Sequence, residues 1–207
     1  MFPSRQHPIL GGIPMSFTLD SGMPGPEFRL PGVDGHQHGL DDYADQKVVV
    51  LSFTCNHCPV AKATEDRLNA LQNDYAGRGV ALIAISSNET VNHPTDDLPH
   101  MIALAKAKGY QFPYLFDETQ EVAKAYGAQR TPHFFVLGPD RRVAYTGAID
   151  DSPNDASQAE RHYVRDAIEA LLAGRPISKA KTDPVGCNVK WKGMDAHWMP
   201  KDRSDFA

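Results

Sequence analysis

Two continuous apolar runs dominate the chain, Val48 to Phe53 and Val80 to Ile85. Both are short and rich in β-branched residues, which predicts strands buried on both faces. Between them Val60, Leu68, Leu71 and Tyr75 recur at helical spacing, with Thr64 on the same stripe. Glu65, Asp66, Arg67, Asn69, Gln72 and Asp74 are expected on the opposite, solvent face. Gly77 and Gly79 supply the stop. Strand, helix and strand at this separation predict a right-handed parallel crossover.

The rest of the pattern is weaker. Residues 1–24 are rich in Pro, Gly and Met and read as an extended N-terminal arm. Glu27 to Leu30 alternates like a short edge strand, and Pro31 to Gly35 is turn chemistry. His36-Gln37-His38 is expected in a solvated loop, followed by a helical turn from Leu40 to Gln46. A polar loop runs from Ser86 to Asp97. Leu98 to Lys108 is predicted helical, with Met101, Ile102 and Ala105 inward and Gly109 ending it. Phe112 to Phe116 is a strand that Pro113 confines to an edge. Asp117 and Gln120 form a capping box for a short helix through Tyr126. Two runs around Gly138-Pro139-Asp140 make a hairpin. Ser157 with Glu160 caps a last helix to about Ala173, with Val164, Ile168, Leu171 and Leu172 inward. The domain therefore spans residues 25–176, and residues 177–207 form a tail packed on it.

The first strand ends in Cys55-Asn56-His57-Cys58-Pro59. Two cysteines at a helix N-terminus face unpaired backbone N–H groups and the positive end of the macrodipole. A thiolate there is stabilised, so its pKa is expected below the free value. Pro59 fits the first turn, where its missing N–H has no intrahelical partner. The spacing lets the two sulfurs close a small disulfide ring. Half a zinc site, or two inert buried thiols, are the alternatives; a single Cys-x-x-Cys at a strand-to-helix junction favours redox chemistry.

Composition narrows the classes. The chain has 207 residues and a net charge of −5, which points to no nucleic-acid or anionic-membrane partner. No apolar run approaches the roughly 20 residues of a membrane span, and the start lacks a signal-peptide pattern. Cytoplasmic localisation is the expectation. Three cysteines are an odd count, which argues against a secreted disulfide framework.

Taken in order, Phe53-Thr54-Cys55-Asn56-His57-Cys58-Pro59-Val60-Ala61-Lys62, Ile85-Ser86-Ser87-Asn88, Phe112 to Gln120, Thr131-Pro132 and Gly186 to Lys192 carry a likeness. The chain resembles the thioredoxin-like superfamily, in its redoxin branch of AhpC/TSA-type peroxiredoxins and TlpA/ResA-like oxidoreductases, over roughly Gly25 to Lys192. The resemblance implies an α/β thioredoxin-like fold with a central mixed β-sheet flanked by helices. It also implies thiol–disulfide exchange, with Cys55 the exposed nucleophile, Cys58 the resolving thiol, and Pro132 a cis-proline that sets Thr131 beside them. No cofactor or metal is implied. The expected partners are a protein or small-molecule disulfide or peroxide and a thiol reductant, and the expected state is a monomer or homodimer.

Four residues are accessory candidates. His57 lies between the cysteines, where a protonatable group favours the thiolate; a surface histidine is the alternative. Arg130 either stabilises the thiolate or faces solvent. Ser52 stands three residues before Cys55, where peroxiredoxins carry threonine, and Val48 replaces their proline, which weakens a peroxidase reading. Cys187 either packs as a small apolar residue, resolves Cys55, or joins Cys55, Cys58 and a histidine in a copper or zinc site. Val49 occupies the place of the buried aspartate of thioredoxin, so proton transfer to Cys58 needs another base.

Overall fold

The structure is a computed structural model and describes residues 18–193. A two-stranded antiparallel ribbon comes first, β1 (Arg29–Pro31) with β2 (Gln37–Gly39). A 3₁₀ turn, Leu40–Tyr43, leads to β3 (Val48–Thr54). There follow α1 (Pro59–Tyr75), β4 (Val80–Ser86), α2 (Leu98–Lys108), β5 (Tyr114–Phe116) and α3 (Glu121–Tyr126). Then come β6 (Arg130–Thr131), β7 (His133–Leu137), β8 (Val143–Gly147), α4 (Tyr163–Leu172) and β9 (Cys187–Asn188). The five-stranded sheet has the order β5-β4-β3-β7-β8, with β4 parallel to both β3 and β5, and β7 antiparallel to both β3 and β8. No helix among the described residues is long and apolar enough to cross a membrane.

The continuous apolar runs are explained by a core on each face of this sheet. Val48 and Val50 of β3 pack with Leu68, Leu71 and Tyr75 of α1, Met101 of α2 and Val164 and Ile168 of α4. Val49, Leu51 and Phe53 pack on the other face with Leu40, Tyr126, Phe135 and the N-terminal Leu19 and Phe28. Each such side chain, fully buried, contributes about 1.5–3 kcal/mol by leaving water. β3 is thereby fixed at the centre of the domain, and the segment after it inherits that position.

Several expectations need correction. Glu65 is buried on α1, not solvated; its carboxylate reaches Lys108 at 2.8 Å, across to the end of α2. Ile102 is 44% exposed, while Met101 and Ala105 carry the inward face of α2. His36 is an exposed bend and Gln37 is solvated, as expected, but Gln37–Gly39 pairs with β1 and His38 Nε2 lies 2.9 Å from Asp34. The Ser157–Glu160 box is unused. Asp155 caps a 3₁₀ turn at Ala156–Gln158, and α4 starts later, with His162 as its N-cap. Asp117 does serve α3, but by accepting from the N–H groups of Val122 and Ala123. Gln120 sits at φ +64° and turns its side chain away from the helix.

Candidate functional site

β3 delivers Cys55 and α1 delivers Cys58. Cys58 is the N-cap of α1 in extended backbone, with Pro59 at the first helical position. The Thr131–Pro132 bond is cis, as the resemblance implies. Thr131 touches both thiols: its hydroxyl is 3.3 Å from Cys55 Sγ and its carbonyl oxygen is 3.0 Å from Cys58 Sγ. All three cysteines are free thiols. With Val60 and Ala61 they form a buried cluster of their own.

Cys55 is not the exposed nucleophile that was expected. It is 2% exposed, Cys58 is 0% and Cys187 is 8%. The electrostatics also differ from the expectation. Burial pushes the Cys55 thiol well above its ordinary 9.0, and the hydrogen bond to Cys58 and the charge of Asp96 push the same way. Cys58 is pulled below that value by hydrogen bonds from the thiols of Cys187 and Cys55, with the N–H groups of Ala61 and Cys187 adding to them against burial. The two thiols are thus made unequal, with ionisation favoured at Cys58 and disfavoured at Cys55.

Asp96 was missed by the sequence reading. It is fully buried, in the loop before α2. Oδ1 accepts from the backbone N–H of Asn56 at 2.8 Å and of His57 at 3.2 Å. Oδ2 lies 2.6 Å from His57 Nδ1 and accepts from Asn88 Nδ2 at 2.8 Å. The carboxylate thus fixes the backbone between the two cysteines and the tilt of the imidazole. Burial pushes its carboxyl up, but the bonds from His57, Asn88 and Asn56 outweigh burial and hold it below the usual 3.8. This buried carboxylate stands beside Cys55 and His57. One signal was present: Asp96-Asp97 is a doubled acid ahead of a helix, and Asp97 alone makes the cap, accepting from His100 N at 2.9 Å.

Cys55, His57 and Asp96 each offer a ligand atom within 4.8 Å of the others, a metal-like grouping of side chains. The Asp96 oxygens already accept four hydrogen bonds, so the group reads first as a hydrogen-bond hub. His57 is partly exposed, and the ring of His93, itself 2.6 Å from Glu89, stacks on it at 4.9 Å.

The remaining candidates are placed as follows. Ser52 is fully buried inside β3, and its hydroxyl has no hydrogen-bond partner among the described residues. It offers nothing to a ligand at the thiols. Arg130 does not face solvent: it is buried and donates to the carbonyl oxygen of Gly186 at 3.2 Å. Cys187 returns to the dithiol on β9, which pairs antiparallel with β6 in the register Thr131 to Cys187 and Arg130 to Asn188. Its backbone N–H points at Cys58 Sγ at 3.4 Å. His133, next to Pro132, is buried and neutral. Its Nδ1 accepts from Gln129 N, its Nε2 meets the Thr146 hydroxyl at 3.0 Å, and burial drops its pKa to about 3.

Known proteins bear on this arrangement. Residues 22–146, more than half of the chain, match the family model of the AhpC/TSA family. The thiol-disulfide oxidoreductase ResA of Geobacillus thermodenitrificans is 28% identical over 59% of this chain and 66% of that protein. A Mycobacterium tuberculosis protein with a peroxiredoxin name is 31% identical over 53% of this chain and 65% of its own. The match thus spans just under two thirds of the length of these two relatives. An uncharacterized conserved protein from Geobacillus kaustophilus superposes with a TM-score of 0.81 at 40% identity, covering 86% of this chain and 95% of that one. Thioredoxin-like structures, among them a DsbE-type interchange protein of Chlorobium tepidum at TM-score 0.61 and 21% identity, share the fold.

Proposed function

The chain belongs to the AhpC/TSA family, and within it we propose that it is a thiol–disulfide oxidoreductase working through Cys55 and Cys58. The observation that carries this reading is the contact of both thiols with Thr131, the residue before the cis-proline. That contact places two sulfurs of unequal acidity against one backbone position, buried under β9 at rest, where an extended disulfide-bearing segment can lie once β9 moves aside.

The steps balance. The Cys55 proton moves along its hydrogen bond to the Cys58 thiolate, and the new Cys58 thiol donates to the Thr131 carbonyl. The Cys55 thiolate attacks one sulfur of the substrate disulfide and releases the first thiolate. Cys58 then loses its proton to that leaving group. Cys58 attacks Cys55 Sγ and releases the second thiolate. Two electrons pass from the dithiol to the substrate, and a thiol reductant restores them.

The test is reaction of the reduced protein with 4,4′-dithiodipyridine, followed by rapid quench and mass spectrometry. Cys58→Ser is expected to stop at the mixed disulfide on Cys55. A Cys55→Ser variant exchanging at the native rate would overturn the assignment. Asp96→Asn is expected to keep the fold and to shift the pH profile of the first step.

A thiol peroxidase is the second reading, favoured by the Thr131 hydroxyl beside Cys55, one donor for a peroxide oxygen. Here hydrogen peroxide oxidises Cys55 to a sulfenic acid, and Cys58 condenses with it and expels water. Oxidation of Cys55 by stoichiometric peroxide much faster than that of a free thiol selects this reading. A slow reaction beside fast exchange selects the first.

A further inference from the structure

The tail segment Gly186–Val189 does more than cover the site. β9 lies on the backbone of Thr131 as an added antiparallel strand. Cys187 thereby occupies the position at which an extended chain meets the dithiol. Its thiol and its backbone N–H both hydrogen-bond to the Cys58 sulfur. The approach is built to be close. A Cβ on Gly186 would stand 2.1 Å from the Thr131 carbonyl oxygen, at a φ of +149° that side chains avoid. The neighbours pin the same stretch: Val189 N to Gln129 O at 3.1 Å, Glu89 N to Lys190 O at 2.8 Å, and the Gln120 amide to Lys190 O at 2.8 Å.

We propose that Cys187 is a third redox thiol, an internal disulfide partner that takes Cys58 from Cys55. The inference rests on the dithiol reading above. In the oxidised protein the Cys187 thiol loses its proton and its sulfur attacks Cys58 Sγ of the Cys55–Cys58 bond. The Cys58–Cys187 bond forms, the Cys55–Cys58 bond breaks, and Cys55 leaves as a thiolate that takes up the proton. No electrons enter or leave, so no further oxidant is needed. Cys55 becomes a free thiol again while the oxidising equivalents stay in the molecule. The new bond also fastens β9 across the edge that a peptide substrate must use. While it is in place, only small molecules reach Cys55.

The first experiment uses the full chain, limiting diamide as oxidant, alkylation of the remaining thiols and peptide mapping by mass spectrometry. Wild type is expected to yield both Cys55–Cys58 and Cys58–Cys187. Cys55→Ser is expected to yield Cys58–Cys187 as its main product, and Cys187→Ser only Cys55–Cys58. Gly186→Ala is expected to lower the Cys58–Cys187 yield while Cys55–Cys58 still forms. It is also expected to raise the rate of Cys55 alkylation in the reduced protein about tenfold, through local opening. Wild type that forms Cys55–Cys58 and never Cys58–Cys187, with Cys187 reduced in Cys55→Ser as well, overturns the inference and leaves the dithiol reading standing. Failure of the dithiol reading looks different: exchange with dithiodipyridine at the native rate in Cys55→Ser, and no mixed disulfide on Cys55 in Cys58→Ser.

Discussion

The dithiol sits between two walls held by different forces. One wall is β3 with the first turns of α1. It is rooted in side chains buried on both faces of the sheet, such as Val50, Leu51 and Phe53. The other wall is assembled from Asp96, Asn88, Gln120 and the tail from Gly186 to Lys192. Hydrogen bonds make up most of its ties, Asn88 Nδ2 to Asp96, Lys190 N to Asn88 Oδ1 and Lys192 N to Gln120 Oε1, with Val189 as its apolar anchor in the core. Apolar burial cannot be exchanged for water without loss, whereas a hydrogen bond to water replaces one to protein at a net cost of about 0.5–1.5 kcal/mol. The first wall therefore opens only when the domain unfolds. The second is the one expected to part locally, and on the proposed function it is the side from which a substrate would enter.

The comparison breaks most visibly at Leu51, which is fully buried at the centre of β3 opposite Ile83 and Phe135. Leu51→Ala is expected to destabilise the whole domain by about 2–5 kcal/mol, read as a drop in denaturation midpoint. A loss under about 1 kcal/mol would show that β3 is not the rigid wall.

Acid separates the walls next. His133 lies on β7 with its pKa lowered to about 3 from 6.5. Below pH 6.5 the unfolded chain binds a proton that the folded chain refuses. Stability is thus intact above 6.5 and falls as pH drops toward about 3, by up to roughly 1.4 kcal/mol per pH unit. His133→Asn keeps an acceptor for Gln129 N and is expected to abolish that slope in a urea-midpoint titration. Asp96, on the polar wall, acts lower. Its folded pKa lies below 3.8, so its contribution is present above that value and is lost only as pH falls beneath it. A slope between pH 6.5 and about 5, above the range of the carboxylates, that survives His133→Asn would refute this division.

The same division decides what the sequence made legible. The apolar wall follows from local pattern: continuous runs for β3 and β4, the stripe of α1, Cys-x-x-Cys at their junction, Thr131-Pro132 before a hairpin strand. The polar wall has no period. Asp96 is 39 residues from His57 and Cys187 is 129 from Cys58, and a hydrogen bond over such separations leaves no trace in spacing. Gln120 shows the limit well. Its distance from Asp117 fits a capping box, yet its amide binds Ser87 O at 2.6 Å and the tail instead. Glu65 and Ser52 misled for a related reason, since polar side chains were read by type while their burial was set by neighbours from other elements.

Gln120→Ala sharpens the comparison at smaller scale. It leaves the carbonyls of Ser87 and Lys190 without this donor and is expected to cost about 1–3 kcal/mol. The loss should appear as local opening. Hydrogen exchange of the amides of Val189 to Lys192 should quicken, while those of β3 keep their protection. Equal acceleration in β3 would mean that the tail and the sheet open as one unit.

The smallest effect belongs to a residue on neither wall. Ile102 looks apolar and inward by spacing, but it is 44% exposed on α2, beside the fully buried Met101. α2 joins the walls: its preceding loop holds Asp96, and its inner face packs on the sheet through Met101 and Ala105. If burial alone decides which side chains hold the scaffold, Ile102→Ser is expected to change stability by less than about 0.5 kcal/mol. It should also leave thiol exchange unchanged, while Met101→Ala costs about 2–5 kcal/mol. A large loss from Ile102→Ser would mean that its face of α2 is covered in solution, and the polar wall would then extend beyond the tail.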